Sequence, residues 1–428
     1  MKLKYFLKRK LNIHTGYLIL IILITIFVIG GYFSYALFTT SNESKGALNI
    51  VTGNLYAFID STDLDSDKEV VVAPGEVRVV NMDLVNVNGR DAKLNLFYKA
   101  TSSNIQIGYL KSGEDAPTQS GVVLGANGTN TERKKIKVRI LNNDTQDVTV
   151  TFGASAGLTT ADLAFPSDKA ALGLVENNII DAYTYNPGGS AELDSTKCIT
   201  GEEETCQRTD CYKDKNANTC PVGTIVRYMV NDDTMKYFYV LHDDGDVMTL
   251  QQRENTVYNT SWYIDTDSNT NLSDNTKGPI TVLSALEDST KDWSNVNDQT
   301  YTMGTTNFNN TNAFTGCSDS SCTTNSYTLA ERVAKARMLT LQEALALGCT
   351  TAEKTCPIWM NNYLNNSTTY GGVNDDNTDE KNFGYWTMST TSSTIHSYVI
   401  SSSGNIGKQE ITDSSFGARA VVVVNKED

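Results

Sequence analysis

The chain has 428 residues, of which 35 are Lys or Arg and 50 are Asp or Glu, giving a formal net charge of −15. Five basic residues fall within the first ten positions, so the remainder carries 30 basic against 50 acidic side chains, a formal net charge of −20. This composition argues against nucleic acid as a partner, because binding to phosphate backbones depends on clustered Lys and Arg.

The amino terminus combines a basic segment, residues 1–14, with an apolar span at residues 15–38. Residues 17–38 hold roughly 22 residues, enough to cross a bilayer that needs about 20, and the preceding basic side chains favour a cytoplasmic amino terminus. We therefore expect a transmembrane helix or signal-anchor in a single-pass protein of the cell membrane, with the carboxyl-terminal part at the cell surface. Ser34 and Ala36 would also suit cleavage before Leu37, which leaves removal of the span open.

The cysteines divide the chain, because the first 197 residues have none. An even number in an exported segment predicts disulfides. Two pairs each close a short loop and are expected to bond: Cys317 with Cys322, and Cys349 with Cys356. The other four allow three connectivities that sequence does not separate: Cys198, Cys206, Cys211 and Cys220. Zinc is disfavoured, because no spacing is Cys-x-x-Cys and no histidine is nearby.

Residues 45–155 read as short strands separated by Gly, Asn and Asp turns, which predicts a β-sandwich. Alternating apolar residues in the segment VRVVNMDL shift phase between Val79 and Met82, and we expect a β-bulge there. Leu94, Leu96 and Tyr98 alternate without a shift. The region has no His, Cys or Trp, which removes most arrangements for nucleophilic or general-base catalysis.

The segments GGYFSYALFTTSNESKGALNIVTGNLYAFI and VAPGEVRVVNMDLVNVNG resemble the exported camelysin and TasA-type biofilm-fibre proteins of Gram-positive bacteria. The resemblance covers roughly residues 30–150. It implies a jelly-roll-like sandwich that serves as a stalk or self-associates into a fibre. Camelysins have been called metalloproteases, but the chain has no His-Glu-x-x-His motif, so that activity is not carried over.

Two acidic segments are candidate calcium sites. The segment IDSTDLDSDKE lacks the glycine and the final glutamate of a 12-residue calcium loop. In DTDSNTNLSDNT, Thr270 stands at the glycine position and Thr276 at the position of the bidentate acid. Solvated loops are therefore favoured, weak calcium binding is the alternative, and no cofactor is expected.

Residues 156–197 lose the strand pattern and read as a linker, with a short helix at DKAALGLVENNII. A disulfide-containing domain, residues 198–428, follows. Its first part reads as strands with a hairpin turn at Asp244-Gly245. Helices are then expected at TVLSALEDSTKDW, after a capping box at Thr340 and Glu343, and at IWMNNYL, before the closing strands GYWTMSTT, HSYVISSSG and GARAVVVVN.

This order, together with the segments ARMLTLQEA, GYWTMSTT and GARAVVVV, resembles the C-type-lectin-like fold shared with formylglycine-generating-enzyme-like domains, over roughly residues 221–426. The predicted fold class is therefore mainly β, with an α+β second domain. Such lectins bind sugar through Glu-Pro-Asn or Gln-Pro-Asp loops, and neither motif occurs here. The enzyme relatives use a cysteine pair beside the terminal strands, whereas no cysteine follows Cys356.

These features favour a non-enzymatic, membrane-tethered surface protein whose second domain binds an extracellular glycan or protein ligand. A subunit of a biofilm or surface fibre is the alternative, and a formylglycine-generating-enzyme-like enzyme is third. The candidate ligand-binding residues are aromatic and polar side chains on the closing strands and their loops: Trp386, His396, Tyr398, Phe416 and Arg419. Burial in the core is the competing interpretation for Trp386 and Arg419.

Overall fold

The computed structural model is mainly β and divides into two compact units, Met1–Val175 and Glu176–Asp428. No helix in the described part of the chain is both long and apolar enough to cross a membrane. The predicted membrane span lies outside the described residues. These are 41–44, 47–50, 57–86, 93–110, 122–124, 132–157, 168–175, 178–185, 206–213, 219–264, 274–301, 332–365 and 382–426.

The first unit contains two five-stranded sheets, as the sandwich prediction requires. One has the order β11-β6-β10-β4 with β8 beside β6, the other has the order β12-β7-β9-β5-β3, and β1 and β2 form a separate two-stranded sheet. The strands are β1 (Ser41–Ser44), β2 (Ala47–Ile50), β3 (Ala57–Asp60), β4 (Glu69–Val72), β5 (Val77–Asn86), β6 (Lys93–Ala100), β7 (Ile105–Tyr109), β8 (Val122–Leu124), β9 (Glu132–Asn142), β10 (Val148–Gly157), β11 (Ala170–Ala171) and β12 (Gly173–Leu174).

The pairing of β5 with β9 corrects the expected bulge. The register is continuous from Val77 opposite Leu141 to Asn86 opposite Glu132. Val80, Met82 and Leu84 are buried in one unbroken alternation, because the inward face begins at Val80 and Val79 belongs to the other face. The phase shift in the sequence therefore shows where inward-facing apolar residues begin, at Val80, and does not indicate a bulge.

A linker is expected from sequence at residues 156–197, but most of the described residues in this range form strands of the two units. β11 pairs with β6, and β12 pairs in parallel with β7. The segment predicted as a short helix forms β11, β12 and the start of β13 (Ile179–Tyr185), which joins the main sheet of the second unit. Pairing with strands distant in sequence supplies the hydrogen bonds that a helix would have formed locally.

The second unit is built on a six-stranded sheet with the order β14-β13-β15-β16-β17-β23. Its last strand in the chain, β23, therefore pairs with β17, a strand from the first half of the unit. Two smaller sheets, β18-β19 and β20-β21-β22, complete it. The further strands are β14 (Cys206–Thr209), β15 (Ile225–Met229), β16 (Met235–Asp243), β17 (Val247–Gln252), β18 (Gln299–Tyr301), β19 (Arg332–Ala334), β20 (Gly384–Thr390), β21 (His396–Ser401), β22 (Ile406–Glu410) and β23 (Val421–Asn425).

The described helices are α1 (Ile280–Thr290), α2 (Leu341–Ala346) and two 3-10 helices, Asn275–Lys277 and Ile358–Asn361. The capping box predicted at the start of α2 is confirmed: Thr340 Oγ1 accepts from the Glu343 N–H at 3.1 Å, and Glu343 Oε2 accepts from the Thr340 N–H at 2.9 Å. The helix expected over IWMNNYL is only one 3-10 turn, because Asn362 has an extended ψ of 141°.

Both faces of the six-stranded sheet are covered. One face packs in a cluster that includes Phe238, Val240 and Trp386, and the other in a cluster that includes Tyr239, Trp359 and Tyr398. Successive residues of β16 thus enter opposite clusters, as the two-residue period of a strand dictates. This double cover decides which side chains of the closing strands can reach solvent.

Candidate functional site

Three predicted ligand-binding residues are buried in the core. Trp386 and Tyr398 are 0% exposed and Phe416 is 7% exposed. Trp386 Nε1 donates to the Thr260 carbonyl at 2.8 Å, and its ring lies 5.4 Å from that of Phe416. These side chains make packing contacts and offer no face to an outside ligand, which corrects the expectation from sequence. The physical reason is that both faces of β20 and β21 are covered.

His396 lies at the start of β21 and is partly exposed. Its Nδ1 is 3.0 Å from Ser393 Oγ, and its backbone carbonyl accepts from Asn275 Nδ2 at 2.7 Å. The backbone of His396 therefore holds the loop before β21 against the first 3-10 helix. Its ring lies in a surface turn with Ser393.

Arg419, the fifth candidate, is 1% exposed and is held by neutral groups. Its Nε donates to Asn255 Oδ1 at 3.1 Å, and its two terminal nitrogens donate to the carbonyls of Met360 at 3.0 Å and Asn362 at 2.5 Å. The guanidinium carbon lies 4.4 Å from the centre of the Tyr385 ring. Burial lowers the pKa of Arg419, as expected for a cation removed from water.

A second buried arginine, Arg253, was missed by sequence reasoning. Its guanidinium lies between two tyrosine rings, 4.1 Å from the centre of Tyr237 and 4.3 Å from that of Tyr363. Nε donates to Glu254 Oε1 at 3.2 Å, and Nη2 donates to the same oxygen. The Arg253 side chain is 7% exposed, and its Nη1 is buried without a hydrogen-bond partner.

Asparagine side chains connect the two arginines. Asn255 Nδ2 donates to Asn382 Oδ1 at 2.5 Å while its Oδ1 accepts from Arg419. Asn382 Nδ2 donates to the carbonyl of Tyr363, and Asn362 Nδ2 donates to Tyr239 Oη at 2.8 Å. The arginine cluster, as we call it, consists of Tyr237, Tyr239, Arg253, Glu254, Asn255, Asn362, Tyr363, Asn382 and Arg419.

The arginine cluster carries surplus positive charge. Arg253 and Arg419 are both buried, and among the described residues the one carboxylate that accepts a hydrogen bond from either is that of Glu254, whose side chain is 36% exposed. Burial acts to lower the pKa of Arg253, but the charges of Tyr363 and Glu254 outweigh it and the net shift is upward. Burial also raises the pKa of Tyr239 to about 12, so Tyr239 is neutral near pH 7.

The cluster lies beside the described residues that flank residues 366–381. The Asn365 N–H donates to the Asn382 carbonyl at 2.7 Å, so the two flanks of residues 366–381 meet at the cluster. Tyr363 has a positive φ of 61°, an uncommon conformation for a bulky residue. Both features direct the backbone so that the Tyr363 ring covers Arg253.

The described disulfides are Cys211–Cys220 and Cys349–Cys356. The second confirms a predicted pair, and the first selects one of the three open connectivities, in which Cys198 would join Cys206. Cys198, Cys317 and Cys322 lie outside the described residues, so their pairings stay predictions.

The carboxylates of Asp63 and Asp65 in the first acidic loop accept hydrogen bonds from backbone N–H groups of the protein. Asp65 Oδ1 accepts from the N–H groups of Asp67 at 2.9 Å and Glu69 at 2.8 Å, and Asp63 Oδ2 accepts from the Asn81 N–H at 2.8 Å. The second acidic stretch lies mostly outside the described residues. In the described part of the chain, no group of three or more His, Cys, Asp or Glu side chains is arranged to hold a metal ion.

Comparisons of the chain with protein-family models, with curated proteins and with solved structures each gave no match. The argument for function therefore depends on the geometry of the arginine cluster.

Proposed function

We propose that the chain is a non-enzymatic, membrane-tethered cell-surface protein whose second unit binds an extracellular ligand at the arginine cluster. The observation that carries this proposal is Arg253: a guanidinium stacked between Tyr237 and Tyr363, with one buried donor left without an acceptor. A buried donor that lacks a partner costs about 1 to 3 kcal/mol. A ligand acceptor would remove that cost, and to reach the donor it would have to displace the covering ring of Tyr363.

The proposed ligand carries a carboxylate. Two buried guanidinium groups share one partly exposed carboxylate, so an anion is favoured over a neutral group. The planar guanidinium suits the planar carboxylate, and the neighbouring tyrosine rings suit contact with a sugar or a peptide. Acidic glycans and acidic protein segments both satisfy this chemistry. The ligand class named from sequence is retained, but its site moves from the closing strands to Arg253.

A lectin-like fold for the second unit belongs to the same proposal. The order of strands, helices and closing strands, with β23 paired to β17, supports it. The sandwich of the first unit would serve as the stalk. An enzyme of the formylglycine-generating type is disfavoured, because such enzymes use a cysteine pair beside the terminal strands and no cysteine follows Cys356; within the described residues, Cys349 and Cys356 are bonded to each other and offer no thiolate.

The alternative, a fibre subunit, receives less support from the sheet edges. In the described part of the chain, the outer strands of the two sandwich sheets are β3, β4, β8, β11 and β12, none longer than four residues. Short edge strands limit pairing with another chain. Val71 on β4 is 50% exposed, but a single exposed apolar side chain is ordinary on a protein surface.

The test is a binding screen with the full chain in detergent micelles, against neutral glycans, glycans that contain uronic acid, and acidic and neutral peptides. We expect capture of carboxylate-bearing probes only. Arg253→Gln should weaken that capture at least tenfold. Arg332→Gln, which removes the partly exposed ion pair between Arg332 on β19 and Glu287 on α1, should leave it unchanged. Equal capture by the wild type and Arg253→Gln, or a preference for neutral probes, would overturn the proposal.

A further inference from the structure

A buried amine and a buried carboxylate meet at the last described residue of the chain. Lys426 directly follows β23, and Asp243 is the last residue of β16. Their side chains are 0% and 1% exposed, and Lys426 Nζ lies 2.6 Å from Asp243 Oδ2. Burial of a charged pair removes the solvation of both ions, which in many proteins costs more than the attraction returns.

Backbone groups hold both partners in place. Asp243 Oδ2 accepts from the Cys220 N–H at 2.6 Å, and Oδ1 accepts from the Gly245 N–H at 2.9 Å. The Lys426 N–H donates to the Asp246 carbonyl at 2.9 Å. The carboxyl group therefore has an N–H donor on each oxygen and an amine in contact with it, so the two groups that would react are held together away from solvent.

We propose that Lys426 and Asp243 condense to an intramolecular isopeptide bond. A proton passes from the Lys426 ammonium to Asp243 Oδ2, which leaves a neutral amine beside a neutral carboxylic acid. The Nζ lone pair attacks Cγ, and the Gly245 N–H stabilises the negative charge that develops on Oδ1. The Cγ–Oδ2 bond then breaks, and the oxygen leaves as water with two protons from Nζ and the acid.

The atoms balance, since an ammonium and a carboxylate yield one amide N–H, one carbonyl and one water. No oxidant, reductant or co-reactant is needed. Exclusion of solvent from both side chains favours the product, because water is needed to reverse the reaction. The bond fixes the end of β23 to the turn between β16 and β17, close to the Cys211–Cys220 disulfide through Cys220. This inference is independent of the proposed ligand.

The test is tryptic peptide mapping by mass spectrometry of the full chain, purified folded and then reduced and alkylated. We expect residues 237–253 and 420–428 to appear as one branched peptide, lighter than the sum of its parts by one water molecule. Lys426→Arg keeps the positive charge but removes the primary amine, so this variant should lack the branched peptide. Quantitative recovery of residues 420–426 with an unmodified Lys426 from the folded wild type would overturn the proposal and leave an ordinary ion pair.

Discussion

Arg227 on β15 forms a two-pronged ion pair with Asp181 on β13, and both side chains are almost fully buried. Arg227 Nε donates to Asp181 Oδ1 at 2.6 Å, and Nη2 donates to Oδ2. The hydrogen bonds and charge of Asp181 raise the pKa of Arg227 although burial opposes them. This pair ties β13, which lies within the expected linker, into the sheet of the second unit.

Replacing Asp181 with Ala should destabilise the second unit by about 3 to 5 kcal/mol, because it removes the carboxylate that pairs with the buried charge of Arg227. The measurement is the urea-induced unfolding of the wild type and the variant. Glu287→Ala is the matched control, since it breaks the more exposed Arg332–Glu287 pair and should cost about 1 kcal/mol or less. Equal effects of the two substitutions would contradict the role given to Asp181.

Glu343 gives the second unit a defined dependence on pH. Burial acts to raise its pKa, but the charge of Arg337, hydrogen bonds from Arg337 at 2.5 and 2.8 Å, and the Thr340 N–H outweigh burial and hold the pKa below its usual 4.5. A carboxylate with a depressed pKa stabilises the folded state above its unfolded pKa and loses that contribution as pH falls through the folded value.

We therefore expect the free energy of unfolding to fall as pH is lowered below about 4.5, with a shallower fall in Glu343→Gln. At pH 7 the variant should be less stable by about 1 kcal/mol, since it weakens the capping box and the ion pair. Urea unfolding at a series of pH values measures both effects. Parallel pH profiles for the two proteins would show that Glu343 does not contribute.

Two neighbours on β21 separate the core interpretation from the ligand interpretation of the closing strands. Tyr398 is 0% exposed, whereas His396 is partly exposed. Tyr398→Ala should destabilise the second unit by about 3 to 5 kcal/mol, as expected for a buried aromatic side chain, and His396→Ala by about 0.5 kcal/mol. Thermal unfolding checks both; a small change in Tyr398→Ala would return Tyr398 to the list of surface candidates.

Much of the architecture follows from local patterns. The alternation in β6 and the capping box before α2 are visible in sequence because each depends on residues close together in the chain. β13 was missed because Asp181 interrupts its apolar pattern, and only the pairing with Arg227, 46 residues away, explains a buried carboxylate there. Non-local partners of this kind leave no periodic signal in sequence.

The arginine cluster was missed for a related reason. Arg253 follows β17, where a charged residue is typical of a strand end in solvent. Only the folded chain brings Tyr237 and Tyr363 to its two faces. Trp386 and Tyr398 suggested a ligand surface because aromatic residues beside loops often bind ligands, and sequence could not show that both faces of their strands are covered.

The orientation of the chain is a separate prediction. The basic segment before the apolar span should keep the amino terminus in the cytoplasm, so residues from about 45 onward should be reachable from outside. Protease treatment of intact cells should release the disulfide-bearing second unit, detected by peptides from residues 420–428. Protection of this unit until the membrane is opened would show the opposite orientation.

The Cys349–Cys356 disulfide should stabilise the start of the second 3-10 helix. Cys349 and Cys356 are 0% and 1% exposed and pack in one cluster with Trp359 and Tyr398. Changing both cysteines to Ser should lower the free energy of unfolding by about 2 kcal/mol, because the short loop gains freedom in the unfolded chain and a hydroxyl enters an apolar site. Unfolding in urea without reductant measures the difference. Changing both to Ala is the matched control, because it removes the bond without adding a polar group. The double Ala variant should lose less free energy of unfolding than the double Ser variant, and its loss measures the contribution of the cross-link alone. An unchanged free energy of unfolding in both variants would contradict a stabilising role for the disulfide.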